Sequence, residues 1–262
     1  DRPASYPVVI FCGGRGTRMR GDTAIKKELV VVGDHPILWH VMKIYATYDH
    51  THFILALGYR AEDVKRYFLE YEPMRCDFTI TLGDADDIAY HRPNRESDWT
   101  VTLANTGREA VKGQRLYRVA KYIESDTFFV TYGDGVGDVD LDALLAFHRR
   151  HGRLATVTGV RPPSPYGVVR ADAQGRVTTF GEKPQMEAWI NGGFMVFHRD
   201  VLTYLSDSPQ VDLETDVLPR LAGEGQLMMY RHPGFWRKMD TYKEAMELDR
   251  FWRESAPWKT WE

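Results

Sequence analysis

Apolar and polar positions fall into blocks along the chain, and the period of the blocks changes in a regular order. Pro7-Val8-Val9-Ile10-Phe11-Cys12 is a continuous apolar run that stops at Gly13 and Gly14. A run of this kind bounded by glycine predicts a strand buried on both faces. From Pro36 the period lengthens. Ile37, Leu38, Val41, Ile44, Tyr45 and Tyr48 recur at helical spacing, and the proline stands where a first helical turn accepts one. Residues 53–57 predict a second buried strand. Residues 61–71 predict a second helix, with Val64, Tyr67, Phe68 and Tyr71 on its apolar face. Strand, helix, strand, helix in succession implies right-handed βαβ units on a parallel sheet.

Residues 78–82 and 100–103 read as further strands. Between them, residues 83–99 carry Asp84, Asp86, Asp87, Arg92, Arg95, Glu96 and Asp98, which predicts a long loop, either functional or a plain surface insertion. Thr127–Tyr132 predicts another strand, opening into Gly133-Asp134-Gly135. A helix follows with Leu141, Leu144, Leu145 and His148 on one face and Asp138 or Asp140 as its cap. Beyond about residue 154 the chain turns to short strands, Ala155–Val160, Val168–Ala171, 177–180 and 193–198, a more antiparallel part of the same sheet. Thr241 precedes Glu244 by three residues, a capping box ahead of a helix carrying Tyr242, Ala245, Met246 and Trp252. The expectation is one α/β domain over 1–262, with one part spanning about 1–153 and a second spanning about 154–262.

Composition narrows the function classes. Lys plus Arg number 34 and Asp plus Glu 37, so the net charge is 34 − 37 = −3. Near neutrality argues against bulk electrostatic binding of nucleic acid or an anionic membrane. The two cysteines, Cys12 and Cys76, form no CxxC pair, so neither a disulfide framework nor a cysteine zinc site is expected. No apolar run approaches the roughly 18 residues of a membrane span. With no basic-then-apolar leader pattern, the expected compartment is the cytoplasm.

The chemistry begins at Gly13-Gly14-Arg15-Gly16-Thr17-Arg18. Glycines let backbone N–H groups approach phosphate oxygens, and Arg15 and Arg18 offer guanidinium forks. A structural tight turn is the plain alternative. Met19 stands where a dinucleotide fingerprint needs its third glycine, and no GxxxxGK[ST] occurs. Lys26 and Lys27 are either a solvated pair or a source of charge for a phosphoryl group. Asp134, at the carboxyl end of a buried strand, stands where an α/β sheet places a metal-binding carboxylate, although a plain turn would also use Asp and Gly. Asp138, Asp140 and Asp142 mimic a calcium loop that Ala143 and Arg149 spoil. Glu182-Lys183 and Asn191-Gly192 are either edge decoration or a sugar phosphate site. Asp240 either serves its helix N-terminus or joins Asp134 around one Mg²⁺. No HExxH and no Ser/His/Asp arrangement supports a covalent hydrolase.

In this order the pieces resemble the sugar-1-phosphate nucleotidyltransferases, whose GGxGTRL signature GGRGTRM (13–19) is similar to. Within them the chain resembles the glucose-1-phosphate cytidylyltransferase branch. The stretches that carry this are PILWHVMKIY (36–45), WTVTLANTG (99–107), VTYGDGVGDVDLDALLAFHRRHG (130–152), FGEKP (180–184), INGGFMVF (190–197), HPGFW (232–236), MDT (239–241) and APWKTWE (256–262). The resemblance implies a Rossmann-like nucleotidyltransferase fold: a mixed central sheet flanked by helices, with a smaller antiparallel sugar-binding part. It implies transfer of a cytidylyl group from CTP to α-D-glucose 1-phosphate, giving CDP-glucose and pyrophosphate without a covalent intermediate. It further implies Mg²⁺ and a homo-oligomer. By position, Gly13, Gly14, Gly16, Thr17, Arg18, Lys27 and Gly133 would bind the nucleotide. Asp134 and Asp240 would hold the metal. Glu182, Lys183, Asn191, Gly192 and the Gly167 backbone would bind the sugar phosphate. Lys27, Arg18 and Asp134 would be catalytic.

One departure stands out. Where the family shows a KPKPM-like run, this chain has Lys26-Lys27-Glu28-Leu29, one residue shorter and without either proline. Lys27 is the best match to the catalytic lysine and Lys26 the second. Glu28 weakens anion binding unless it turns away. The alternatives are the same chemistry with another nucleotide or sugar 1-phosphate, and a nucleotide-binding subunit that has lost turnover. In this branch the 83–98 region lies near the nucleotide or a neighbouring subunit. The tail with Trp258 and Trp261 is either a subunit contact or a segment packed on its own chain.

Overall fold

A computed structural model describes residues 5–15, 25–84, 87–91 and 96–261. Gly16, Thr17, Arg18 and Met19 of the glycine-rich turn, and Asp86, Arg92 and Arg95, lie outside the described residues.

Strand β1 (Val8–Cys12) ends at the glycines. A 3₁₀ turn, Lys27–Leu29, leads to the small hairpin of β2 (Val31–Val32) and β3 (His35–Pro36), then to α1 (Ile37–Ala46), β4 (His52–Leu57) and α2 (Ala61–Leu69). A second hairpin, β5 (Phe78–Ile80) with β6 (Ile88–Tyr90), precedes β7 (Thr100–Asn105). Next come α3 (Lys112–Val119), β8 (Thr127–Tyr132), β9 (Gly135–Gly137), α4 (Leu141–His151) and β10 (Ala155–Val160). The hairpin of β11 (Val168–Ala171) and β12 (Val177–Gly181) is followed by β13 (Ile190–Asn191) and β14 (Met195–His198). The described chain closes with α5 (Leu218–Gly223), β15 (Leu227–Arg231), β16 (Trp236–Lys238) and α6 (Tyr242–Glu254).

β7, β4, β1 and β8 are parallel neighbours in that order. β14 joins β8 antiparallel, β10 joins β14 antiparallel, and β15 runs parallel to β10. The sheet is therefore mixed, as expected. Period-two alternation along β1 supplies two cores. Val8, Ile10 and Cys12 face one apolar cluster with α1 and α6, while Val9 and Phe11 face another with Leu116, Val119, Leu213 and Leu221. All five side chains are buried, which is why the strand reads as an unbroken apolar run.

Several expectations need correction. Residues 83–99 are not a plain loop, because Ile88–Tyr90 pairs with Phe78–Ile80. A three-residue strand is too short to show a period among so many charges. α3 and β15 were not expected. In α3 the buried positions include Gly113, Gln114 and Arg115, so the apolar stripe is reduced to Leu116 and Val119. Gly135, expected in a Gly133-Asp134-Gly135 turn, instead begins a strand, Gly135–Gly137, paired with Trp236–Lys238. Of the two candidate caps of α4, Asp140 is the one that accepts from the Ala143 amide, at 2.9 Å. The Thr241–Glu244 capping box forms as expected. The tail packs on its own chain: Trp258 is fully buried and its indole N–H donates to His40 Nδ1 at 3.3 Å. Both cysteines are free thiols. Among the described residues no helix is long and apolar enough to cross a membrane.

Candidate active site

The carboxyl ends of the parallel neighbours β1 and β8 lie side by side, so Gly13-Gly14 and Gly133-Asp134 leave the sheet together. The Gly133 N–H donates to Phe11 O at 3.1 Å, tying the two turns. Pairing of β9 with β16 sets Lys238 opposite Gly135, and the Met239 N–H donates to Asp134 O at 2.8 Å. This short ribbon brings Asp240 beside Asp134. Glu244 then accepts from the Asp240 and Thr241 amides at 2.7 and 2.8 Å, fixing the turn into α6.

Two ammonium groups meet the two carboxylates. Lys27 Nζ contacts Asp134 and lies 2.8 Å from Asp240. Lys238 Nζ lies 3.3 Å from Asp240 and 4.0 Å from Asp134. Burial alone would lower the Lys27 pKa, but Asp134 and Asp240 outweigh it and raise it above the usual lysine value. Burial would raise Asp240, but Lys27 and then Lys238 hold it below the usual carboxylate range. Lys27 is thus cationic and Asp240 anionic at neutral pH.

The residues present fit a hard divalent cation. Asp134 is 7% exposed, and its Oδ1 is buried with no hydrogen-bond partner. An oxygen in that state calls for a cation or an ordered donor. Among the described residues no group of three or more His, Cys, Asp or Glu converges. Two carboxylates suit an ion that takes its remaining oxygens from water and substrate phosphate.

Below the glycine turn the floor is polar and closed. Lys26 turns inward, donating to Gly14 O at 2.6 Å and pairing with Glu28 at 3.2 Å. Lys26 and Glu28 are 3% and 4% exposed, so Lys26 is no surface residue, and Glu28, which lines the cleft, is held there against Lys26. Burial raises the Glu28 pKa, and Lys26 opposes the rise. Arg115, from α3, is also buried. Its guanidinium donates to Thr106 Oγ1 and Gly107 O at 2.8 Å each, and to Gly13 O at 3.2 Å. That guanidinium fills the space a side chain would need at two glycines. A Cβ on Gly13 would sit 2.1 Å from Arg115 Cζ, and one on Gly58 would sit 2.4 Å from its NH1.

The far wall comes from the later part of the chain. The Tyr132 hydroxyl donates to Glu214 and accepts from Asn191 Nδ2 at 3.1 Å. Lys112 Nζ donates to Glu214 at 2.7 Å. Burial, and then Glu214, push Tyr132 well above the usual phenol range. Between β13 and β14 the ladder with β10 breaks at Gly193 and Phe194, whose φ values are +78° and +44°. A buried phenylalanine in the left-handed region is strained, and this bulge turns Asn191 toward the cleft.

The cleft so enclosed, about 900 Å³, is lined by Gly13, Gly14, Lys27, Asp134, Asn191 and Asp240 from the expected set. Gly133 is buried just beneath it, and Gly192 accepts from the lining Trp236 through its carbonyl, at 2.8 Å. Gly167, Glu182 and Lys183 do not line it. They flank β11 and β12, an exposed hairpin, and Lys183 has φ +47°. Sequence reasoning missed Arg115, Lys112, Tyr132, Glu214 and Lys238. Only Lys238 had a usable signal, since two positions before Asp240 places it on the same side of an extended segment.

Comparison with known proteins adds the relationships. A family profile described as nucleotidyl transferase matches residues 7–253. The chain is 42% identical over 258 residues to a glucose-1-phosphate cytidylyltransferase of Salmonella typhi, covering 97% of this chain and 99% of the relative. It is 39% identical over 255 residues to a probable glucose-1-phosphate cytidylyltransferase of Bacillus subtilis (strain 168), again 97% and 99%. The crystal structure of HddC from Yersinia pseudotuberculosis shares the fold, with TM-score 0.67 at 20% identity over 94% of this chain and 99% of that one.

Proposed function

The chain belongs to the nucleotidyl transferase family, and from that premise we propose that it transfers the cytidylyl group of CTP to α-D-glucose 1-phosphate, releasing pyrophosphate. The observation that carries the reading is the convergence of Lys27, Asp134 and Asp240 beside the glycine turn. It occurs in a chain 42% identical over nearly its whole length to a cytidylyltransferase. The reaction is a direct in-line displacement, in which an oxygen of the sugar phosphate attacks the α-phosphorus and pyrophosphate leaves. Such transfer depends on positioning and charge neutralisation more than on acid–base chemistry.

Residues 1–153 form the nucleotide part and residues 154–262 the sugar-phosphate part of a single domain. The backbone of Gly13, Gly14, Gly16, Thr17 and Gly133 receives the triphosphate. Lys27 and Arg18 face the α-phosphate and the departing pyrophosphate. Lys27 is already charged by its two carboxylate neighbours, so it needs no proton transfer to act. Asp134 and Asp240 hold Mg²⁺, which when bound offsets charge on the phosphates. Asn191 and Gly192 on the far wall, with Gly167, Glu182 and Lys183 of the β11–β12 hairpin, take the sugar phosphate, Lys183 aligning its nucleophilic oxygen. The protein works in the cytoplasm as a homo-oligomer and takes neither nucleic acid nor membrane as partner.

Pyrophosphate release with glucose 1-phosphate and Mg²⁺, compared across CTP, UTP, dTTP, ATP and GTP, tests the reading. A strong preference for CTP is expected. Turnover with another nucleotide would move the substrate assignment and keep the mechanism. Nucleotide binding without turnover for all five would replace it with a binding subunit.

A further inference from the structure

We propose that Lys238 makes occupation of the Asp134–Asp240 pair by a divalent ion conditional on nucleotide, so that metal enters as the metal–nucleotide complex and not alone. This rests on the reading of that pair as the metal site.

Three of the four carboxylate oxygens already face an ammonium. Lys27 holds Asp134 Oδ2 and Asp240 Oδ1, and Lys238 lies 3.3 Å from Asp240 Oδ2. Two carboxylates against two ammonium groups sum to zero. A free divalent cation entering this site meets two like charges within a few ångströms, in surroundings that screen them poorly. A metal–nucleoside triphosphate brings a net negative charge. Its phosphate oxygens give both lysines a replacement partner at the moment the carboxylates turn to the metal.

The two lysines are not equivalent. The Lys27 side chain is 14% exposed and bridges both acids. The Lys238 side chain is 39% exposed, at the cleft wall. Its backbone is fixed by the pairing of β16 with β9, opposite Gly135 and one residue from Asp134. The head group can therefore swing to a phosphate while its root stays in place. Lys238 is thus a positioning residue that acts through the carboxylates, and it supplies the part of the opposing charge that can be removed without touching Lys27.

The test is Mn²⁺ binding to metal-free, nucleotide-free protein, followed by the electron paramagnetic resonance signal of the free ion. Lys238→Met should bind Mn²⁺ about ten-fold or more tightly than the parent, because one like charge is gone. Lys238→Arg, which keeps the charge, should stay near the parent. In the double variant Lys238→Met with Asp134→Asn the gain should vanish. In pyrophosphate release at fixed CTP, excess free Mg²⁺ should act on Lys238→Met at lower concentration than on the parent. Equal Mn²⁺ affinity in the parent and Lys238→Met would overturn the inference while leaving the metal site standing. Tight Mn²⁺ binding that survives Asp134→Asn would instead overturn the assignment of the site itself.

Discussion

Arg115 and Gly13 can be tested as a pair that shares one volume. Arg115→Ala removes two charge-assisted hydrogen bonds of 2.8 Å, to Thr106 Oγ1 and Gly107 O. The other acceptors lose less, because Leu57 O also accepts from Thr106 and Gly13 O also accepts from the Tyr59 amide. Two bonds from a charged donor to buried acceptors are worth about 3 kcal/mol at the low end. Gly13→Ala should reach the same loss by another route. Its Cβ would fall 2.1–2.5 Å from three atoms of the guanidinium, which cannot stay. Each single variant should therefore melt about 6 °C lower, at roughly 2 °C per kcal/mol for a chain of this size. Each should also show a raised KM for nucleotide, because Gly13 O loses one of its two donors and keeps only the Tyr59 amide. The double variant is the deciding one. With the guanidinium gone, the three atoms nearest a methyl group at position 13 are removed, so the double should be no worse than Arg115→Ala alone. Calorimetry and urea titration of the four proteins give the cycle. Additive losses, or a Gly13→Ala protein that melts with the parent, would refute the shared-volume argument.

Other outcomes follow from the same geometry. Asp134→Asn should lower turnover at least about a hundred-fold with the fold retained, read by pyrophosphate release beside circular dichroism; near-normal turnover would remove Asp134 from the chemistry. Tyr132→Phe leaves Glu214 and Asn191 without the hydroxyl between them and should raise the KM for sugar phosphate about five- to thirty-fold, with the nucleotide KM little changed. Burial lowers His40, His50 and His148 from 6.5 to about 4. Above pH 6.5 neither folded nor unfolded chain protonates them. Between 6.5 and 4 the unfolded chain takes up protons first, so stability falls with pH by about 1–2 kcal/mol per histidine by pH 5. A urea midpoint equal at pH 7 and pH 5 would contradict that.

The parts of the site that were legible in the sequence are those written locally. Gly13-Gly14 and Gly133-Asp134 each follow an apolar strand, and the strand pattern alone puts them at carboxyl ends. The meeting of Lys27 with Asp240, 213 residues apart, depends on the register of β16 against β9. That ribbon is three residues on each side, and one strand holds two glycines, so no period announces it. Arg115 was hidden for a different reason. A buried arginine among backbone carbonyls looks, in sequence, like any polar residue on a short helix. The exposed setting of Glu182 and Lys183 was equally unreadable, because a hairpin reveals its strands but not its distance from the cleft.

The indole of Trp258 closes the apolar layer over α1 by reaching His40, 218 residues earlier. During synthesis this layer cannot be sealed until Trp258, one of its largest buried side chains, has been made. Until then the layer beside α1 stays open at His40 and Trp252, and a nascent or prematurely ended chain presents aromatic surface to its surroundings. A chain that lacks Trp258 therefore leaves uncovered, beside His40 and Trp252, the apolar surface that the indole seals.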